Sequence, residues 1–177
     1  MMHTVKHLIS GNTRLTRTTL TLVAGLVALT ATLSTGCGTT YIGNTEIADN
    51  EENREIYEQV MLYQRAVMAR DSDQILSMVS RTYYENSTTT DTSMDDYGYD
   101  RLRVHLSSEL QDNVLDVNFR VLMRRINTDG QRATADYEYY YTFKYTEGGT
   151  TAWKERNDFN RLEFVREDGM WKITGGL

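Results

Sequence analysis

Residues 114–145 read VLDVNFRVLMRRINTDGQRATADYEYYYTFKY, and the alternation inside this stretch decides the fold. Leu115, Val117, Phe119, Val121 and Met123 stand on one parity, and Asp116, Asn118, Arg120 and Arg124 on the other. Side chains along a strand point to opposite faces in turn, so one face of this segment is buried. The next segment repeats the pattern: Ala133, Ala135, Tyr137, Tyr139, Tyr141, Phe143 and Tyr145 face one way, and Arg132, Thr134, Asp136, Glu138 and Lys144 the other. Both apolar sets are odd-numbered, so opposed residues must have an even sum. A two-residue Asp129-Gly130 loop gives an odd sum and puts Met123 on the wrong side. A three-residue loop, Thr128-Asp129-Gly130 with Gly130 in the left-handed position, gives an even one. This register places Val121 opposite Tyr137 and Phe119 opposite Tyr139.

Two further turns complete the sheet. Gly148-Gly149 returns the chain into a third strand, and a two-residue Asp168-Gly169 turn sets Phe164 opposite Ile173, keeping Leu162 and Trp171 on the buried face. The third strand is the anomaly. With Glu147 opposite Thr150, Lys154 faces Phe143, Arg156 faces Tyr141, Asp158 faces Tyr139 and Asn160 faces Tyr137. A shift by one residue substitutes Glu155 and Asn157, so either parity puts polar groups against a tyrosine wall. Two readings stand: a polar floor in an aromatic-walled pocket, or a long hairpin that overshoots the helices and is wet on both sides. The pocket reading names Tyr137, Tyr139, Tyr141, Arg156, Asp158 and Asn160 as ligand-binding residues.

Upstream the period changes to that of helices. Asp49-x-x-Glu52 can cap a helix with Ile56, Val60, Tyr63 and Val67 on one stripe. Asp71-x-x-Gln74 caps a shorter one with Ile75, Leu76, Met78 and Val79 inward. After a polar loop, Tyr99, Leu102, Leu106 and Leu110 form a third stripe. Three helices before a four-stranded antiparallel meander make an α+β domain over residues 51–177.

Residues 1–36 carry Lys6, Arg14 and Arg17 and no acidic residue, then an uncharged run from Thr18 to Gly36. That is the layout of a cleaved secretory signal. The apolar stretch Leu20–Leu33 is shorter than the roughly twenty residues a bilayer core requires, and an apolar surface all round gives a soluble helix no polar face. Leu33-Ser34-Thr35-Gly36-Cys37 holds the single cysteine of the 177-residue chain. It resembles the lipobox of bacterial lipoproteins, although the leucine stands four places before the cysteine instead of three. The resemblance implies lipidation at Cys37, whereas the residues alone also allow an unmodified thiol or an intermolecular disulfide. Acyl chains at about 0.8 kcal/mol per buried methylene hold a protein on a membrane without a spanning helix. Gly38 lacks the aspartate that signals inner-membrane retention, so the resemblance implies the periplasmic side of the outer membrane. Residues 37–50 read as lipidated cysteine and tether, the polar run Gly38–Asn50 spanning at most about 40 Å at roughly 3.3 Å per residue.

Charge excludes some partners. Three of the 19 basic residues leave with residues 1–36 and none of the 25 acidic ones do, so the net charge falls from −6 to about −9. No basic cluster exceeds Arg124-Arg125, far from the footprint a nucleic-acid binder needs. No metal or other cofactor is expected: one histidine besides those of the leader leaves no soft-ligand set, and Asp91–Asp100, read as a calcium loop, lacks glycine at its sixth position and glutamate at its twelfth. No nucleophile elbow or glycine-rich phosphate loop is present.

The order of elements, with ARDSDQILSMVSRTYYE around the second helix and DGMWKITGGL closing the chain, resembles the nuclear transport factor 2-like (SnoaL-like, ketosteroid-isomerase-like) superfamily. That resemblance implies helices filling the concave side of a curved sheet. The β-rich alternatives are pleckstrin-like or lipocalin-like folds. Members of the superfamily include ketosteroid isomerase, scytalone dehydratase, polyketide cyclases and domains with no known reaction, so fold does not choose function. Enzymatic members use carboxylates, histidines and tyrosines inside the cone, which here would be Asp158, Tyr139 and His105. With no catalytic pair standing out, the leading expectation is a membrane-tethered envelope lipoprotein with a non-catalytic domain that binds a small ligand or an envelope protein. The alternatives are a periplasmic isomerase, dehydratase or cyclase, and a structural envelope subunit. The polar outer face of the sheet, with Asn118, Arg120, Thr134, Glu138 and Tyr140, is compatible with a weak homodimer through the sheet.

Lipidation has a direct test. Wild-type protein is expected to partition into detergent, and Cys37→Ser to appear in the soluble periplasmic fraction or to stall unprocessed; equal membrane fractions for both would end the lipoprotein reading.

Overall fold

The computed structural model describes residues 39–86, 96–147 and 149–177. The leader 1–36, Cys37, the first half of the loop Asp91–Asp100 and Gly148 lie outside the described residues. Residues 39–177 form one unit. In chain order it contains α1 (Glu51–Ala69), α2 (Ser72–Met78), the short pair β1 (Tyr84–Glu85) and β2 (Tyr97–Gly98), α3 (Tyr99–His105) running on into a wide π-helical segment (Leu106–Asn113), and then β3 (Val114–Thr128), β4 (Arg132–Glu147), β5 (Thr150–Glu167) and β6 (Met170–Gly175). The last four pair in the order β3-β4-β5-β6, every pair antiparallel. This is the expected α+β meander, with a two-stranded β1–β2 ribbon that no periodicity foretold.

Within residues 37–50, read from composition as lipidated cysteine and tether, the segment 41–48 folds back and packs on the domain. Tyr41 bridges Ala48, the Ile42 N–H donates to the Ile47 carbonyl at 2.9 Å, and Ile47 is buried in the core. One apolar side chain and a tight turn are enough to fix this segment to the domain. The α1 cap also shifts by one residue. Asn50, not Asp49, accepts the Asn53 N–H at 2.9 Å, because Asp49 is drawn outward onto the guanidinium of Arg54. Arg70 ends the helix in the left-handed region at φ 55°, and its N–H closes onto Val67 at 3.0 Å. Asp71 caps α2 through the Gln74 N–H as expected. Ile56, Val60, Val67, Ile75, Met78, Val79, Leu102 and Leu110 are buried.

The β3–β4 register departs from expectation by two residues. Val121 lies opposite Tyr139 and Phe119 opposite Tyr141, and it is Met123 that faces Tyr137. The turn is placed one step later than expected. Asp129 pairs with Arg132 through an N–H···O bond of 3.1 Å, and the Asp129 carboxylate accepts the N–H groups of Gln131 and Arg132 at 2.9 and 2.7 Å. This alone gives an odd sum, seen in Ile126 opposite Ala135. A bulge at Arg124, between Met123 and Arg125, absorbs one residue and restores the even sum. The extra residue is put to use. Arg124 pairs on the outer face with Glu138, which also accepts the Tyr140 hydroxyl at 2.7 Å; both bonds hold the Glu138 carboxyl below its ordinary range, Arg124 most of all.

The other two registers agree with the sequence. Tyr137, Tyr139, Tyr141 and Phe143 face Asn160, Asp158, Arg156 and Lys154, and Phe164 faces Ile173 across a turn with Asp168 at φ 50° and Gly169 at φ 80°. The helices rest on the odd-numbered face of β3 and β4 from Val117 onward: Tyr63 of α1 meets Phe119 edge-on at 5.8 Å, and Gln64 accepts the Val121 N–H at 2.7 Å. Leu115, expected on that face, is exposed, because an irregularity between Val114 and Asp116 shifts the register and Val114 is buried in its place. Trp171 of β6 is buried to 4 % exposure, and its indole N–H donates to Glu55 of α1 at 2.9 Å. Replacing Trp171 by Ala is therefore expected to cost about 3–5 kcal/mol in a denaturant melt; an unchanged midpoint would mean that β6 is not part of the core.

Candidate ligand-binding site

Between the helices and the sheet lies a cavity of about 350 Å³, near the small end of ligand pockets. Tyr63 and Val67 of α1, Ile75 of α2, and Leu102, His105, Leu106 and Leu110 of the third helical segment form one wall. Phe119, Tyr137, Tyr139, Tyr141, Arg156 and Asn160 of the sheet form the other, and Tyr97 and Leu177 complete the lining. The alternation that built the core also builds this site: odd residues of β4 all face the helices, so a run of tyrosines becomes one continuous wall. Phe119 organises it, meeting Tyr141 edge-on at 5.9 Å and Tyr139 at 6.0 Å.

The hydroxyls differ in their surroundings. Tyr137 is 1 % exposed and its oxygen accepts an N–H from Asn160 at 3.1 Å. Burial pushes its phenol well above the ordinary value. Tyr63 is raised for the same reason, with neighbouring tyrosines adding to the effect, and burial raises Tyr141 and Tyr97. These phenols stay protonated at any physiological pH and serve as neutral hydrogen-bonding groups, since removing a proton would leave charge in a poorly solvated place.

Of the residues expected to bind ligand, Tyr137, Tyr139, Tyr141, Arg156 and Asn160 line the cavity, and Asp158 does not. Arg156 donates to Asp158 at 2.9 Å, with side-chain exposures of 62 and 47 %. The bond to Arg156 holds the Asp158 carboxyl below the usual carboxylate range. This corrects the picture of a desolvated pair in a polar floor. Strand β5 rises past the helices at residues 153–157, all of them exposed, and a pair in water is screened and contributes little. The hairpin is wet at its tip and lines a pocket at its base, so each of the two readings holds for part of it. The trio Asp158, Tyr139 and His105 is likewise not assembled. Tyr139 and His105 reach the cavity and Asp158 stays outside its lining. His105 is exposed at the edge, its ring 5.5 Å from that of Tyr97.

Tyr63, Tyr97 and Leu177 are lining residues that sequence reasoning did not place in the site. Tyr63 was legible only as part of a helical stripe. For Tyr97 and Leu177 no local signal exists, because their positions depend on β1–β2 and the end of β6 meeting across the domain.

No family model matches the chain, and no curated protein does. Solved structures do resemble it. A conserved protein from Planctomyces limnophilus superposes with a TM-score of 0.60 at 13 % identity, covering 71 % of this chain and 92 % of that one. A nuclear transport factor 2-like superfamily protein from Salmonella enterica serovar Typhimurium gives 0.57 at 12 %, over 70 % and 86 %. The chain has the nuclear transport factor 2-like fold. A type 2 hexachlorocyclohexane dehydrochlorinase is similar at a TM-score of 0.57 and 12 % identity, over 71 % of this chain and 82 % of that one. At such identities the nuclear transport factor 2-like likeness is one of architecture, and chemistry must be argued from the cavity itself.

The site separates two substitutions. Asp158→Ala is expected to leave the melting midpoint at the wild-type value. Asn160→Ala removes bonds to the Tyr137 hydroxyl and, at 2.9 Å, to the Gly176 carbonyl, and should cost about 1–3 kcal/mol. Equal melts for the two variants would contradict this account of the cavity.

Proposed function

We propose that this protein is a lipid-anchored component of the bacterial envelope whose nuclear transport factor 2-like domain, its helices filling the concave side of the sheet, binds a small, mainly apolar ligand without transforming it. The anchor rests on the leader and the Leu33–Cys37 pattern, with the outer membrane as its address. One observation carries the binding reading: among the described residues, the lining combines aliphatic and aromatic side chains with protonated tyrosine hydroxyls, and Arg156, its one permanently charged member, is already paired with Asp158. Such a surface favours apolar burial and orients a ligand through a few hydrogen bonds.

A second reading, an isomerase, dehydratase or cyclase, is favoured by the presence of both His105 and Tyr139 in the cavity lining. It would assign acid–base work to that histidine at the edge of the cavity.

Binding is tested with the full chain in detergent and anilinonaphthalene sulfonate as the probe. Saturable binding of one probe per chain is expected. Leu106→Trp, which fills the cavity, should weaken it by about tenfold or more, equivalent to about 1.4 kcal/mol. Absence of binding to the folded protein, or equal binding by the variant, would overturn the reading.

A further inference from the structure

The end of the described chain is held differently from the strand that precedes it. The β5–β6 ladder ends at Gly175 opposite Glu163. Beyond it the backbone leaves the sheet, and side chains alone hold it. Glu85 accepts the Gly176 N–H at 2.9 Å, Asn160 donates to the Gly176 carbonyl at 2.9 Å, the Tyr83 hydroxyl oxygen accepts the Leu177 N–H at 3.2 Å, and the Tyr97 hydroxyl donates to the Leu177 carbonyl at 3.4 Å. Leu177 then contributes to the cavity lining. The segment therefore lines the cavity with Leu177 while owing its place to single side-chain bonds from two sides, the β1–β2 ribbon with the adjoining Tyr83, and β5.

We propose that Gly176 and Leu177 are a removable wall, and that a ligand enters and leaves the cavity by displacing Leu177. Three features converge on this. The bonds that hold the segment are individually weak and lie outside any ladder, so they can open without disturbing the sheet. Asn160 bonds the Tyr137 hydroxyl and the Gly176 carbonyl with the same amide nitrogen, so a ligand that engages Tyr137 acts on the group that holds the wall. Finally, the seat is narrow. Gly176 has φ +88°, and a Cβ there would stand 1.8 Å from the Arg161 carbonyl oxygen, so any side chain at this position unseats the segment. The coupling obeys the usual rule that a site's accessibility is drawn from its least stable neighbouring element.

The proposal rests on the cavity being a ligand site, and the test separates the two. Glu85 is not part of the lining, so Glu85→Ala unpins the wall without altering ligand contacts. Both Glu85→Ala and Gly176→Ala are expected to release bound anilinonaphthalene sulfonate about tenfold faster than wild type in stopped flow, an effect on dissociation. Amide exchange supplies the arm that requires no ligand. The Gly176 and Leu177 amides should exchange well before that of Ile173, and faster still in Glu85→Ala. Wild-type release rates in both variants would overturn the removable wall while leaving the cavity as a binding site. If the wild type binds no probe, the binding reading fails, and exchange decides the wall alone: amides at 176 and 177 that open only with global unfolding would overturn it.

Discussion

Tyr137 stands in the middle of β4 with its ring buried and its hydroxyl bonded to Asn160 of the neighbouring strand, and the rest of the domain is arranged around that side chain. A buried phenol must be both covered and hydrogen-bonded. Covering it requires the odd-numbered face of β4 to meet the helices; bonding it requires β5 to pair in the one register that places Asn160 opposite. A slip of one residue would send the tyrosines to the wet face and bring Glu138 and Lys144 inward. The cost of that exchange explains why the sheet tolerates a bulge at Arg124 in preference to an unmatched face.

The same constraint creates the cavity. Alternation obliges Tyr137, Tyr139 and Tyr141 to share a wall, and the third helical segment, widened at Leu106–Asn113, spans the space above them with Leu102, Leu106 and Leu110. Large rings on one side and branched aliphatics on the other leave a gap of about 350 Å³, which costs the protein packing. Packing alone gives no reason to keep such a gap; under the proposed binding function a ligand would fill it. Charge is kept at the margin: Arg156 satisfies itself with Asp158 in water, so the interior stays neutral.

Anchorage between layers comes from a few polar contacts at the periphery. Glu55 of α1 accepts both the Trp171 indole N–H and the Arg166 guanidinium, and the guanidinium lies 4.5 Å over the Trp171 ring. The Ser80 hydroxyl donates to Glu167 at 2.6 Å while its N–H meets the Ile173 carbonyl at 2.8 Å. These contacts fasten the β5–β6 hairpin to α1 and to the segment after α2, while Gly176 and Leu177 lie beyond the ladder. The firm and the loosely held parts of the closing segment thus adjoin within a few residues, which is where a passage into the cavity can be built without weakening the core.

The amino-acid sequence by itself determined the α+β class, the odd-numbered buried faces of β3 from Val117 to Met123 and of β4, the β5–β6 register and the α2 cap, because each is set by local periodicity or by turn chemistry within a few residues. It also put Tyr137, Tyr139 and Tyr141 on one wall, while leaving two registers for the strand opposite; the structure takes the one that sets Arg156 and Asn160 against that wall. Tertiary structure decided the rest. The β3–β4 register depends on a bulge whose position is favourable only when Arg124 finds Glu138 across the sheet. Ile47 becomes a core residue only because the domain offers it a place. Whether Arg156 and Asp158 are desolvated depends on how far β5 extends past the helices, a question of relative lengths in space. Tyr97 and Leu177 enter the lining through a meeting of β1–β2 with the segment after β6, where hydrogen bonds join residues 80 to 94 positions apart, a separation over which local pattern carries no information.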